Sequence, residues 1–229
     1  MIELEKVLRA NKDMVGGMLP IDLNRVRLFV YDFTSGNNDL EKLDMNSVEE
    51  FDSYLKETLR KNSAVVGIGR YNEDRIIYRH SNLFGRDEEV RTIHLGIDIF
   101  LPAGTEILSP LDARLHSFQN NVGNGDYGPT IILRHEIQNI VFYTLYGHLS
   151  EDSLVGKYEG QIIRKGEVIA KIGNKEINGN WPEHVHFQII QDLEGRRGDF
   201  PGVSSISERE RYLRLCPDPN LILKINKMF

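Results

Sequence analysis

The chain has 229 residues, 28 basic against 34 acidic, for a net charge of −6, with 40% apolar and 27% charged residues. That is ordinary globular usage for one large domain or a domain plus a subdomain. The acidic balance excludes a general nucleic-acid binder, which turns a basic face to phosphates, and with no stretch near 18 uninterrupted apolar residues a membrane-spanning helix is excluded too.

Residues 1–19 read as an amphipathic helix, with Ile2, Leu4, Val7 and Leu8 among charges, ended by Gly16, Gly17 and Pro20. No apolar core of a secretory signal follows Glu3, Glu5, Lys6, Arg9 and Lys12, which points to the cytoplasm. Val26 to Phe33 looks like a strand, with turn chemistry at Ser35 to Asn38. Ser47 and Glu50 form a capping box, and Phe51, Leu55 and Leu59 recur at helical spacing behind it. Ala64 to Ile68 and Arg75 to Tyr78 read as two strands around a turn at Asn72 to Asp74, and the Gly67-x-Gly69 pair reads as a turn rather than a phosphate loop, because Asn72 stands where a third glycine is needed.

From about residue 90 short apolar runs punctuated by Gly, Pro and Asn predict an all-β region, a sandwich or partly open barrel. The candidate strands are 92–100, 106–108, 113–118, 130–135, 141–147, 168–172 and 184–191. Gly160 to Gly173 has the look of a β-hairpin, with Arg164 and Lys165 as solvated turn residues. After Gly195 the tail is polar, and Ser207 with Glu210 makes a second capping box over a brief helix ending before Pro217. The divisions are an N-terminal α+β extension over 1–90, a β domain over 91–192 and a C-terminal tail over 193–229, with the boundary near 85–91.

Cys216 is the only cysteine, so neither an intrachain disulfide nor a Cys-rich zinc cluster can form, and any metal must sit on His, Asp or Glu. Cys216 itself reads as a packing residue. There is no nucleophile elbow, no Walker phosphate loop and no H-E-x-x-H. Two spacings among the seven histidines stand out: His94 and Asp98 within one strand-like run, and His184-x-His186. Alternation along a strand puts His94, Gly96 and Asp98 on one face and His184 with His186 on one face, so each pair can converge, with Gly96 leaving room beside it. Either spacing alone is weak, and His80, His116 and His135 read as ordinary strand or surface residues. A cupin reading of H-x-H fails, because its carboxylate would fall on Ile190.

Five segments in series carry more weight: His94-Leu-Gly-Ile-Asp98, Pro102 to Thr105, Tyr146-Gly-His148-Leu, Gly160 to Gly166, and His184-Val-His186-Phe. In order and approximate spacing, over residues 91–191, they resemble the LytM-like M23 family of zinc metallopeptidases. The resemblance implies a mainly β fold, an M23-type antiparallel β-sandwich with the N-terminal extension and a short C-terminal helical tail. It implies one Zn2+ per chain on His94, Asp98 and His186, with His148 and His184 as the catalytic pair. Two imidazoles and a carboxylate leave a fourth tetrahedral position open, as a catalytic zinc site requires.

Three departures bear on the groove. Trp181 and Glu183 stand where the family has small residues, and Gln188 replaces a common Glu after H-x-H-F. The first 90 residues and the tail resemble the M23 portion of fusions between a phosphotransferase-like kinase and a class III aminotransferase. That implies an intracellular role on a small peptide or amino-acid derivative, with kinase or aminotransferase-type enzymes as partners, whereas the M23 resemblance by itself implies a peptidoglycan-like substrate. The rival reading is a non-catalytic M23-like binding module beside a partner enzyme. Such modules lose ligands, whereas all five polar positions remain here.

Overall fold

Along Val185 to Ile190 alternate side chains divide between two environments: Val185, Phe187 and Ile189 enter the main apolar core, while His186 and Gln188 face the other side. Ile97 and Ile99 enter the same core and leave Asp98 opposite. This shared alternation builds a buried sheet with a polar patch on one face.

The computed structural model describes residues 3–44, 47–78 and 90–226. In chain order these form α1 (Glu3–Ala10), β1 (Leu28–Val30), α2 (Val48–Lys61), β2 (Val66–Gly69), β3 (Arg91–His94), β4 (Ile97–Phe100), β5 (Glu106–Leu108), β6 (Ala113–Asn121), β7 (Gly128–Ile137) and β8 (Ile140–Gly147). Then follow β9 (Ile162–Ile163), β10 (Val168–Lys171), β11 (Val185–Ile190), β12 (Val203–Ser205), α3 (Arg209–Leu215) and α4 (Asn220–Leu223). The fold is mainly β, as the sequence predicts. An eight-stranded sheet runs β1-β2-β4-β11-β8-β7-β6-β9, and two-stranded sheets join β5 to β10 and β3 to β12. Among its described pairs only β1 and β2 are parallel, because α2 carries the chain back across the sheet between them. No helix among the described residues is long and apolar enough to cross a membrane.

The N-terminal residues complete the sheet edge through β2 on β4 and pack Tyr31, Phe33, Phe51, Ile77 and Tyr78 against Phe100. The proposed boundary at 85–91 falls largely in residues 79–89, outside the described residues, as does His80.

Several local expectations are corrected. The first helix stops at Ala10, well before Gly16. Of Val26 to Phe33 only Leu28–Val30 is strand, and Tyr31 and Phe33 turn into the aromatic cluster. Gly67 and Gly69 lie in β2, not in a turn. Ile76–Tyr78 is a 3₁₀ turn rather than a strand. The run 92–100 is two strands, broken at Leu95–Gly96. β9 and β10 do not pair with each other as a hairpin; β9 joins β6 and β10 joins β5. The Ser47 cap forms, its Oγ accepting from the Glu50 amide at 3.2 Å, but the Glu50 carboxylate accepts from Asp44 instead of closing the box. No box forms at Ser207, since α3 starts at Arg209 behind Glu208, which makes no side-chain cap bond.

Candidate metal centre

In an unbroken strand, residues four apart lie about 13 Å from one another and cannot share a ligand. The break at Leu95–Gly96 removes that obstacle. His94 pairs with Val203 of β12, the Leu95 amide donates to the Gly202 carbonyl at 2.8 Å, and the chain then turns so that Asp98 pairs with His186 of β11. The expectation of convergence holds, but its stated cause, one flat strand face, does not. Gly96 is required at the turn: a Cβ there would lie 2.5 Å from His186 Cε1.

The result is a buried triangle. His94 Nε2 lies 3.0 Å from His186 Nδ1 and 3.2 Å from Asp98 Oδ1, and His186 Nδ1 lies 3.1 Å from Asp98 Oδ1. Ligands about 2.0–2.1 Å from a tetrahedral ion are separated by roughly 3.3 Å, so the triangle has the size of one face of such a site.

Their outer atoms decide what the inner ones offer. His94 Nδ1 meets the Arg70 carbonyl at 2.8 Å, and a carbonyl only accepts, so Nδ1 carries the proton and Nε2 a lone pair. His186 Nε2 meets Gln188 Oε1 at 2.9 Å. That amide is oriented by its Nε2, which donates to the Pro201 carbonyl at 3.1 Å and to Cys216 Sγ at 3.2 Å. His186 therefore turns the lone pair of Nδ1 inward. Asp98 Oδ2 accepts from Arg75 Nη1 at 2.6 Å, leaving Oδ1 inward. Two lone pairs and a carboxylate oxygen thus face one another with no proton between them, an arrangement that a cation satisfies. The donor set fits zinc.

Electrostatics agree with those protonation states. Burial, reinforced by the Arg75 charge, pushes His94 down to about 4 and keeps it neutral near pH 7. For Asp98 burial opposes the charge, but the neighbouring positive charge, which Arg75 supplies while His94 is neutral, holds the carboxyl well below its ordinary range. Arg75 is itself buried, donating also to Glu73 Oε2 at 3.0 Å and the Tyr78 hydroxyl at 2.8 Å. The 3₁₀ turn aligns residues 75 and 78, three apart, on one side. Gly69 makes room, since a Cβ there would lie 2.6 Å from Arg75 Nη2.

His148 and His184 stand beside the triangle, ring centroids 4.2 Å apart. His148 sits just past β8 at φ +62, a left-handed turn that breaks the strand direction, and its amide donates to the Tyr127 carbonyl at 2.8 Å. Each ring donates from Nδ1 to a backbone carbonyl, His148 to Asn178 at 2.8 Å and His184 to Pro182 at 2.7 Å, so both leave Nε2 as a proton acceptor. His184 Nε2 is 3.9 Å from Asp98 Oδ1. Burial lowers both, His148 strongly.

Comparison with known proteins follows this geometry. Residues 92–198 match the family model of peptidase family M23. Over these residues the chain is similar to peptidase family M23. A protein of Haemophilus influenzae described as an uncharacterized metalloprotease is 31% identical over 139 residues, 57% of this chain and 27% of its own. The chain thus spans about a quarter of that relative's length. A zinc-containing peptidase from Vibrio cholerae is similar at 26% identity over 49% of this chain and 30% of its own, with a TM-score of 0.36. The catalytic domain of lysostaphin from Staphylococcus simulans is similar at 22% identity over 58% and 80%, with a TM-score of 0.40.

All five polar positions predicted for the M23 domain come together in one place, and the remaining described histidines do not join them. His116 bonds Ser117 Oγ at 2.8 Å through Nδ1, and His135 is satisfied inside the sheet. Sequence reasoning missed Arg75, Tyr78 and Tyr127, whose hydroxyl lies 3.4 Å from His186 Nε2. Nothing in their spacing marks them, because they reach the site by tertiary packing; the only local signal for Arg75 was the glycine at 69 that accommodates it. Glu183 does not enter the centre: its carboxylate accepts from the Ala103 amide at 3.0 Å and ties down that turn.

Proposed function

We propose that the chain is a zinc-dependent metallopeptidase of M23 type that hydrolyses a peptide or amide bond with water. His94, Asp98 and His186 would hold one Zn2+, and His148 and His184 are the catalytic pair. The substrate class is a peptidoglycan-like strand or a small peptide, and kinase or aminotransferase-type enzymes are the proposed partners. The observation that carries the reading is the triangle of inward lone pairs, each fixed by a hydrogen bond on its outer side, beside two neutral imidazoles with free Nε2 atoms.

The chemistry that zinc supplies when bound is polarisation of a carbonyl and activation of water near neutral pH. The protein's part is proton handling and orientation. His148 and His184 accept at Nε2, so one takes the proton released by attacking water, and once protonated it can donate to the departing amine. The carbonyls of Asn178 and Pro182 stay on Nδ1 throughout and steady each ring as it becomes cationic. Arg75 keeps the Asp98 carboxylate ionised and its Oδ1 directed inward.

Elemental analysis of the purified full chain, paired with hydrolysis of a peptide panel, tests this. About one zinc per chain and chelator-sensitive cleavage are expected. A folded protein that hydrolyses peptides without metal overturns the ligand assignment, and a zinc-loaded protein inert on every peptide favours the binding-module alternative.

A further inference from the structure

A cavity of about 170 Å³ opens on the candidate centre and continues beyond it into apolar surroundings. The rings run in series away from the imidazoles: His184 stacks on Phe100 at 4.9 Å, Phe100 meets Phe33 at 6.1 Å, and Phe33 meets Phe51 at 5.7 Å. Ile77 adds to the same wall. On the other flank Trp181 stands edge-on between Tyr78, at 6.0 Å, and His148, at 6.5 Å. An apolar group entering here would lie within a ring's width of the atoms that handle protons.

We propose that this recess is a side-chain subsite, and that the substrate is a short peptide or amino-acid amide with one bulky apolar side chain, aromatic or branched, beside the cleaved bond. The inference rests on the peptidase reading above. Three observations carry it. The whole cavity, its charged and imidazole-lined part included, has about 170 Å³, close to what accepts one benzene-sized ring, so its apolar flank has room for no more than one large side chain. A glycine strand would leave these apolar walls unfilled and gain nothing from them. Phe33, Phe51, Ile77 and Tyr78 lie outside residues 92–198, so the N-terminal extension shapes the recess together with Phe100 and Trp181 of the family-matched region.

Trp181 is the only tryptophan in the chain, so its fluorescence reports the recess directly. With the zinc-loaded full chain, N-acetyl-phenylalaninamide is expected to shift Trp181 emission at concentrations at least tenfold below those of N-acetyl-glycinamide. Peptides with Phe or Leu beside the cleaved bond are expected to show kcat/KM roughly 10- to 100-fold above glycine peptides, the factor that burying such a side chain supplies. Ile77→Phe, which fills the recess, should abolish the preference. If that variant fails to fold, the comparison of the two amides on the unaltered protein decides alone. Equal response to both amides together with equal cleavage of glycine peptides overturns the recess and leaves the peptidase reading standing. Selective binding of the phenylalanine amide with no hydrolysis of any peptide overturns the peptidase reading and keeps the recess.

Discussion

Two kinds of buried histidine environment contrast sharply. His135 on β7 has both ring nitrogens met by the protein, Nδ1 by the Asp112 carbonyl at 3.0 Å and Nε2 by Thr144 Oγ1 at 2.8 Å. His94 and His186 each have one nitrogen met in that way, and the other facing only acceptors. Burial depth does not separate the two kinds, since all three are nearly inaccessible. The partner of the second nitrogen does. A core histidine closes its hydrogen bonds, whereas a candidate ligand leaves one lone pair aimed at a place where only a cation resolves the conflict.

Removing a member of the triangle should produce the largest effect. His94→Ala or Asp98→Ala is expected to lose metal by elemental analysis and to cut hydrolysis more than about 10³-fold; metal retained at full stoichiometry in either variant breaks the contrast. His148→Ala comes next, with metal retained and turnover lowered by about 10²- to 10⁴-fold. Metal loss equal to that of Asp98→Ala would make His148 a ligand.

The satisfied histidine predicts a different phenotype. Burial pushes His135 from 6.5 down to about 4. Between those values the unfolded chain binds a proton that the folded chain does not, so this residue's contribution to stability falls as pH drops from about 6.5 to 4 and is level below. Denaturant titrations of the unaltered protein and His135→Asn should therefore differ in pH slope over that window, by a total of about 3 kcal/mol. Identical slopes would mean that His135 is not held neutral. The smallest effect is expected at Gln188→Leu. Losing the acceptor for His186 Nε2 should weaken metal affinity by about 10- to 100-fold in a chelator competition, with His135→Asn leaving that affinity unchanged.

Much of the sheet was legible in the chain, for a local reason. Strands such as Val185 to Ile190 alternate between apolar and polar partners, and Gly, Pro and Asn punctuate them. The misreadings arose where side chains serve distant partners. Ile76–Tyr78 has strand-like composition, yet a 3₁₀ turn lets Arg75 and Tyr78 meet each other beside Asp98, 23 residues from Arg75. Val203–Ser205 sits in a polar tail and becomes strand only because β3 needs an edge partner after the break at Gly96.

By itself the sequence determined which residue types were available and their serial order: His94, Asp98, His148, His184 and His186 in motifs of M23 type, with Cys216 too solitary for a thiolate cluster. Only the tertiary structure decided how they converge. Side-chain alternation along one strand cannot bring positions 94 and 98 within 3.2 Å of each other; a change of sheet between them can. Long-range packing also supplied the buried guanidinium on Asp98 and much of the aromatic recess, since Arg75, Phe33, Phe51 and Ile77 share no local pattern with the motifs they serve.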